Sequence, residues 1–423
     1  MPSMFAVGRF QSVRAPHQSG SSVRLMFTEF RRRTRIITVA IALAGGLSAC
    51  GQARVATRAL IDTSASLTND HVIVGDSSFL YAGDRTTGGL SIWTLRVVNS
   101  KVALTDEAVV GTGHHLEAPR AINMPDGSWA VTAPGCASEP RPDEPCGQMA
   151  TFLFRIDPDG RGKEIGTIGG FGAPVFSIAG YTDSAHIVLR VQSVDSPAGM
   201  HSEAEKVQGT RHERFTVIDL KDGHAADVSW KPSDLSFSIL TSEPPTAANS
   251  SLRLTCVADR TLYVLDSIAT GDHVDRTLTV VDLERSSDAN SPVQFVPGYL
   301  PSALFCDSSG LRVFGQDPTA RTFSVFPLDT LGRVGEGEST TYGDRVRNLL
   351  LNRTSAFLES GPRPELKSDA AINEPSSIQR FADGKWTRLN VEAAAEDQRW
   401  MSGDGSSLLT RRASDLSFEG SGL

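Results

Sequence analysis

The sequence is poor in the residues that usually announce chemistry. Its 423 residues include five cysteines and nine histidines. It contains no Cys-x-x-Cys pair, no His-Glu-x-x-His segment and no Gly-x-Ser-x-Gly elbow. Those absences remove the compact signatures of zinc sites, metalloproteases and nucleophile elbows. Long apolar runs are also missing. The longest, Ile36-Ile37-Thr38-Val39-Ala40-Ile41-Ala42-Leu43-Ala44-Gly45-Gly46-Leu47, has twelve residues. A hydrocarbon core of about 30 Å needs roughly 20, so this run is too short for a stable spanning helix. Positive charge is scarce as well once the first 50 residues are set aside. The rest holds 34 basic and 48 acidic residues, a net −14. A surface of that sign repels phosphate backbones, which excludes nucleic acid as an expected partner.

The first 50 residues have a different character. They carry seven arginines, no lysine and one acid, Glu29. Arg31-Arg32-Arg33-Thr34-Arg35 stands directly before the apolar run, and the run ends in Leu47-Ser48-Ala49-Cys50. A basic region, a short apolar core and small residues, in that order, are the parts of an export signal. The pattern begins well inside the chain, and Met26 would give it a natural start.

Ending in a cysteine preceded by small residues, this segment resembles the bacterial lipoprotein signal. The resemblance implies cleavage before Cys50, so that residues 1–49 are a signal peptide, with a diacylglycerol thioether and palmitate-type acylation on Cys50. Each buried methylene of an acyl chain contributes about 0.8 kcal/mol, so two or three chains hold a protein firmly where one does not. A plain secretory signal cut near Ala49 is the rival. A twin-arginine signal is a poor fit, because Arg35 sits where an apolar residue is wanted. The expected location is the cell envelope, anchored in a membrane and facing the periplasm or the exterior.

Export permits disulfides. With Cys50 set aside, Cys136, Cys146, Cys256 and Cys306 form an even set with three possible pairings. The local pairing, Cys136 with Cys146 and Cys256 with Cys306, is favoured. The first bridge would close a loop rich in proline, Pro140, Pro142 and Pro145, which suits no regular element.

Beyond Cys50, residues 51–70 are small and polar and read as a flexible tether. From residue 71 to 423, short apolar runs alternate with turn residues, the signature of an all-β domain. Helical spacing is confined to two short stretches, 345–351 and 391–398. A turn bearing Asp or Asn recurs before a short apolar strand at Asp76, Asp126, Asp183, Asp259, Asp307, Asn352 and Asp404. The intervals are 50, 57, 76, 48, 45 and 52 residues. That period suits four-stranded propeller blades, with an insertion in the long interval, and it predicts seven blades. A second strand keeps step with the first. Phe215-Thr216-Val217-Ile218-Asp219-Leu220 matches Leu278-Thr279-Val280-Val281-Asp282-Leu283, and Thr151–Phe154, Phe323–Phe326 and Ile378–Phe381 are looser copies. Asp159-Gly160, Asp222-Gly223 and Asp383-Gly384 then supply tight hairpin turns. Closure is expected where residues 55–62 meet the last blade near Leu416-Ser417-Phe418. In overall pattern the chain resembles the bacterial lipoprotein β-propellers. The Trp-Asp dipeptide, the kelch glycine pair and the tryptophan-docking repeat are all missing, so the resemblance reaches no subfamily.

Candidate sites are few. His114-His115-Leu116-Glu117 is the densest cluster of potential ligands, and it reads as a solvated loop. Arg211-His212-Glu213-Arg214 reads as the charged edge of a strand, a common guard against edge pairing. Asp157-Pro158-Asp159-Gly160 lacks the spacing and terminal glutamate of a calcium loop and reads as a hairpin turn. Gly169-Gly170-Phe171-Gly172 reads as a flexible connection, and two polar stretches, 191–211 and 241–251, as loops on one face. No catalytic residue, metal ligand or cofactor is assigned. The expected function is therefore a binding or scaffold module for an envelope protein or glycan. The alternative is an envelope enzyme of hydrolase, lyase or quinone-dependent dehydrogenase type, with its site in a propeller funnel.

Overall fold

The computed structural model describes residues 54–56, 58–59, 61, 67–116, 118–136, 149–168, 175–195, 206–240, 252–270, 273–285, 288–307, 310–342, 345–351, 355–361, 377–389, 397–412 and 417–422. These residues form strands and turns with no helix, and the strands group into seven antiparallel sheets. The protein is a seven-bladed β-propeller.

Blade one is Leu67–Val74, Phe79–Arg85 and Leu90–Val98, with an outer strand broken into Lys101–Leu104 and Ala108–Val110. Blade two runs from Arg120–Asn123 through Trp129–Cys136 and Met149–Ile156 to Gly162–Ile168. Blades three to six follow the same four-strand meander, starting at Val175–Tyr181, Leu252–Ala258, Leu300–Asp307 and Arg345–Leu351. Blade seven holds Gln398–Met401, Ser407–Arg411 and Phe418–Gly422. The expected turns at Asp76, Asp126, Asp183, Asp259, Asp307 and Asp404 each fall where the first strand of a blade passes to the second, while Asn352 lies outside the described residues. The paired repeats Phe215–Leu220 and Leu278–Leu283 lie in or at the end of third strands. Gly160, Gly223 and Gly384 have φ of 87°, 77° and 75° in the third-to-fourth turns, a region open to glycine because it has no Cβ.

Successive side chains on a strand point to opposite faces, and here both faces are buried. In blade one Leu80 enters a cluster with Trp129, Val131 and Phe154 of blade two, while Phe79 and Tyr81 enter a cluster with Leu409 and Phe418 of blade seven. Seven such clusters are present, and each spans two neighbouring blades. Seven interfaces for seven blades means the ring is closed.

Closure uses both ends of the domain. Arg54–Ala56 adds a fifth strand to blade one by pairing with Lys101–Leu104. Arg58–Ala59 then supplies the fourth strand of blade seven, with Ala59 opposite Phe418. The expected meeting of this segment with Phe418 is observed. Part of the stretch read as a 50–70 tether is therefore strand, because pairing with two sheets satisfies its backbone. Arg411 fixes the seam. Its guanidinium reaches the Asp70 carboxylate at 2.8 Å and lies over the Tyr81 and Phe418 rings at 5.6 and 5.9 Å. The Tyr81 hydroxyl donates to Asp70 at 2.6 Å, and burial together with that carboxylate pushes its pKa well above the ordinary phenol value.

The structure departs from the sequence reading at Arg345–Leu351. This segment is the inner strand of blade six, not a helix. A register shift between Val346 and Asn348 breaks the two-residue alternation and gives the apolar positions a helix-like spacing. Of the other expected helix, residues 391–396 lie outside the described set, and Gln398 begins a strand.

Cys256 and Cys306 are bridged, with Cα atoms 5.9 Å apart and 50 residues of separation. They sit on the inner strands of blades four and five, so the bond staples neighbours. Cys136 ends a strand of blade two, while Cys146 lies outside the described residues. Replacing Cys256 and Cys306 together by serine is expected to remove about 4 kcal/mol of loop-closure stabilisation. The denaturant midpoint measures it, and an unchanged midpoint would mean that packing alone joins these blades.

Candidate functional site

Inner strands converge on a central cavity of about 270 Å³. It is lined largely by small or apolar residues, among them Ala121, Ile122, Gly180, Val257 and Phe305, together with the disulfide-bonded Cys256 and Cys306. The approach of blades three and four is close enough that a Cβ on Gly180 would sit 2.6 Å from that of Val257. Asp76 is the one carboxylate among the described lining residues, which include no histidine, lysine or arginine. Its backbone oxygen accepts from Asp404 N at 2.7 Å, joining the turns of blades one and seven. Asn123 spends its amide on Ser128 O at 3.1 Å.

A second concavity opens on the face carrying the first-to-second and third-to-fourth turns. It is a groove of about 770 Å³ between blades five and six, reaching the Asp404 turn of blade seven. Val325 and Phe381 form a buried floor, and Pro327 and Ala382 line it further. Four exposed carboxylates stand around it: Glu336, Glu338, Asp383 and Asp404. Asp404 uses one oxygen to cap its own turn, accepting from Ser406 N at 2.9 Å. Glu336, Glu338 and Asp383 have no side-chain partner among the described residues. The single lining cation, Arg312, is paired with Asp307 at 2.6 Å.

Other charged groups are buried where blades meet. Between blades three and four, Glu213 accepts from Arg190 at 2.6 Å and from Arg253 at 3.1 Å, and Arg253 also binds Asp266 at 2.6 Å. The Arg253 and Glu213 side chains are 0% exposed. Burial alone would raise the Glu213 carboxyl, but the two guanidinium groups outweigh it and hold the pKa below the ordinary range. Between blades six and seven, Arg399 donates to Glu359 at 2.5 Å, again fully buried.

These contacts change the reading of Arg211-His212-Glu213-Arg214 as a charged strand edge at one residue, Glu213. The four residues lie inside Lys206–Asp219, where His212, Glu213 and Arg214 pair only with Val191, Gln192 and their neighbours on one side, so they do stand at an edge, but Glu213 is drawn into the interface with the next blade. His212 faces Asp234 at 2.8 Å and Arg214 faces Asp227 at 3.5 Å, while Glu213 between them turns inward. His114 and His115 lie in a loop, as expected. His114 packs on Phe152 with ring centroids 4.4 Å apart, His115 is exposed, and Glu117 lies outside the described residues. Asp157–Gly160 is a hairpin turn closed by Gly160 N donating to Asp157 O at 2.9 Å. Of the polar stretches, 191–195 and 206–211 belong to two successive strands of blade three, the second pairing at 206–211 with Leu235–Leu240, while 196–205, 241–251, Gly169–Gly172 and Cys50 lie outside the described residues. Among the described residues no group of three His, Cys, Asp or Glu side chains is arranged to hold a metal.

No family model matches the chain, and no curated protein matches it. Solved structures do resemble it. One is an oligogalacturonate lyase in complex with manganese, 12% identical with a TM-score of 0.46, covering 88% of this chain and 98% of that one. Another is the β-propeller domain of the Trilobed protease from Pyrococcus furiosus, 11% identical with a TM-score of 0.42, covering 84% and 93%. A third is the Pyrococcus horikoshii acylaminoacyl peptidase, 10% identical with a TM-score of 0.43, of whose chain 49% is covered. At these identities no residue or activity carries across.

Arg253→Ala leaves Glu213 and Asp266 buried beside one fewer cation, an expected loss of about 3–5 kcal/mol in denaturant unfolding. Glu213→Gln tests the same cluster by pH. Because the folded carboxyl is depressed, its contribution is complete above the ordinary carboxylate range and is lost as pH falls through the folded value. The stability gap between wild type and Glu213→Gln is therefore expected to be constant near neutrality and to shrink below about pH 4. A gap independent of pH would contradict this.

Proposed function

We propose that the protein is a lipid-anchored β-propeller of the cell envelope that acts as a binding or scaffold module. The anchor rests on the apolar run that stops at Cys50. The binding role rests on where charge is left uncompensated. Carboxylates without a side-chain partner gather at the open groove between blades five and six, over an apolar floor. The central cavity, by contrast, offers one carboxylate among its described lining residues.

A funnel enzyme would need an acid, base or nucleophile converging on a space where a substrate could sit. The described lining supplies no such pair. The groove instead suits a partner protein that presents apolar side chains flanked by lysine or arginine. Complementary charge at such a rim speeds encounter and discriminates among partners, while the apolar floor supplies area.

Two measurements test the halves separately. Mass spectrometry of the envelope protein is expected to show an acylated N-terminal Cys50, and Cys50→Ala is expected to leave the membrane fraction. Continued sedimentation of that variant with membranes would end the anchor reading. For the groove, Glu336→Lys, Glu338→Lys and Asp383→Lys combined are expected to abolish salt-sensitive crosslinking from the groove to an envelope protein. Stability should move little, since exposed substitutions usually shift it by about 0.5 kcal/mol or less. Crosslinking unchanged by charge reversal would end the groove reading.

A further inference from the structure

The point where the first strand starts bears on how the anchored ring would stand on a membrane. Cys50 and Arg54 are four residues apart, and four extended residues span about 14 Å at most. Arg54 pairs with Leu104, and Leu104 pairs with Leu95, so the chain joins blade one at mid-height on its outer edge. It enters from the side of the second-to-third-strand hairpins, because Arg54–Ala56 runs antiparallel to Lys101–Leu104. Leu95 stands five residues from Leu90, where that hairpin face begins, a distance of about 17 Å along a strand. The link is thus too short to let the ring lie flat on that face, and it would have to double back to reach the other.

The same edge is chemically distinct. Val98 and Val109 on blade one are 47% and 41% exposed, two of only six large apolar side chains so exposed among the described residues. Arg96 and Lys101 are exposed beside Val98, exposed Asp106 lies toward Val109, and Glu107 is engaged by Arg85 at 3.0 Å. This local excess of positive charge belongs to a domain that is otherwise strongly acidic.

We infer that the outer rim of blade one is a membrane-facing surface. The lipidated protein stands on edge, its rim against anionic headgroups and both faces of the ring open to the aqueous side. This deepens the proposed function and rests on lipidation of Cys50. Near an anionic surface each basic side chain is attracted and each apolar one finds an interfacial environment.

The test uses the full lipidated protein in vesicles of phosphatidylethanolamine and phosphatidylglycerol containing a lipid with a nitroxide headgroup. A fluorescent amino acid replaces, in separate samples, Val109 on the rim, Val274 on the hairpin face, or Leu331 on the opposite face. Quenching several-fold stronger at 109 than at 274 or 331 is expected. Inserting about 20 glycine and serine residues after Gly51, a link reaching an r.m.s. 20–30 Å, is expected to erase most of that difference. Equal quenching at all three positions, stronger quenching at 274 or 331, or a difference that survives the insertion would overturn the edge-on pose. Cys50→Ser binding these vesicles as tightly as the lipidated protein would overturn the anchor instead, which separates the two failures.

Discussion

Every blade of this ring buries both of its faces, and the structure depends on that one constraint. Adjacent residues of a single strand serve two different interfaces, as Leu80 and Tyr81 do in blade one. A substitution at either position is felt in one interface and spared in the other. No blade covers itself, so the first and last would each present an unsatisfied apolar face unless they met. The seam between blades seven and one is accordingly the point where backbone pairing, the Arg411–Asp70 contact and the Tyr81, Trp93 and Phe418 rings are concentrated. An open edge there would also invite pairing with another chain.

Much of the architecture was legible because turn chemistry is local. An aspartate capping its own turn, as Asp126 does toward Ser128 N at 3.0 Å, Asp183 toward Ala185 N at 2.7 Å and Asp404 toward Ser406 N at 2.9 Å, leaves a mark in the sequence where those blades begin their second strand. The copies Phe215–Leu220 and Leu278–Leu283 mark third strands in the same way. The inner strand of blade six escaped because its irregular register imitates helical spacing. The functional surfaces were less legible. The groove combines residues from 312 to 404 in separate blades, and no contiguous motif can announce such an assembly.

Glu213 and Arg253 were hidden for a different reason. Charged residues read as surface because isolated burial is expensive, and only the arrival of a partner from the next blade reverses that expectation. The two buried arginine–glutamate pairs, 213 with 253 and 359 with 399, share a separation of 40 residues. Both join the first strand of one blade to the blade before it. Such pairs contribute less stability than a good apolar contact would, yet a blade stacked out of register would leave full charges stranded. They therefore favour one stacking over its alternatives, at interfaces three blades apart.

The strand Arg58–Ala59 completes a sheet whose other members lie some 340 to 360 residues later, at 398–422. A chain synthesised from its N-terminal end presents this strand first and its partners last. Six blades could stack as they emerge, each on the one before, while Arg58–Ala59 waited unpaired beside blade one. Ring closure would then be the final event of folding, and a product truncated within its last blade would keep a sticky strand open to pairing with other chains.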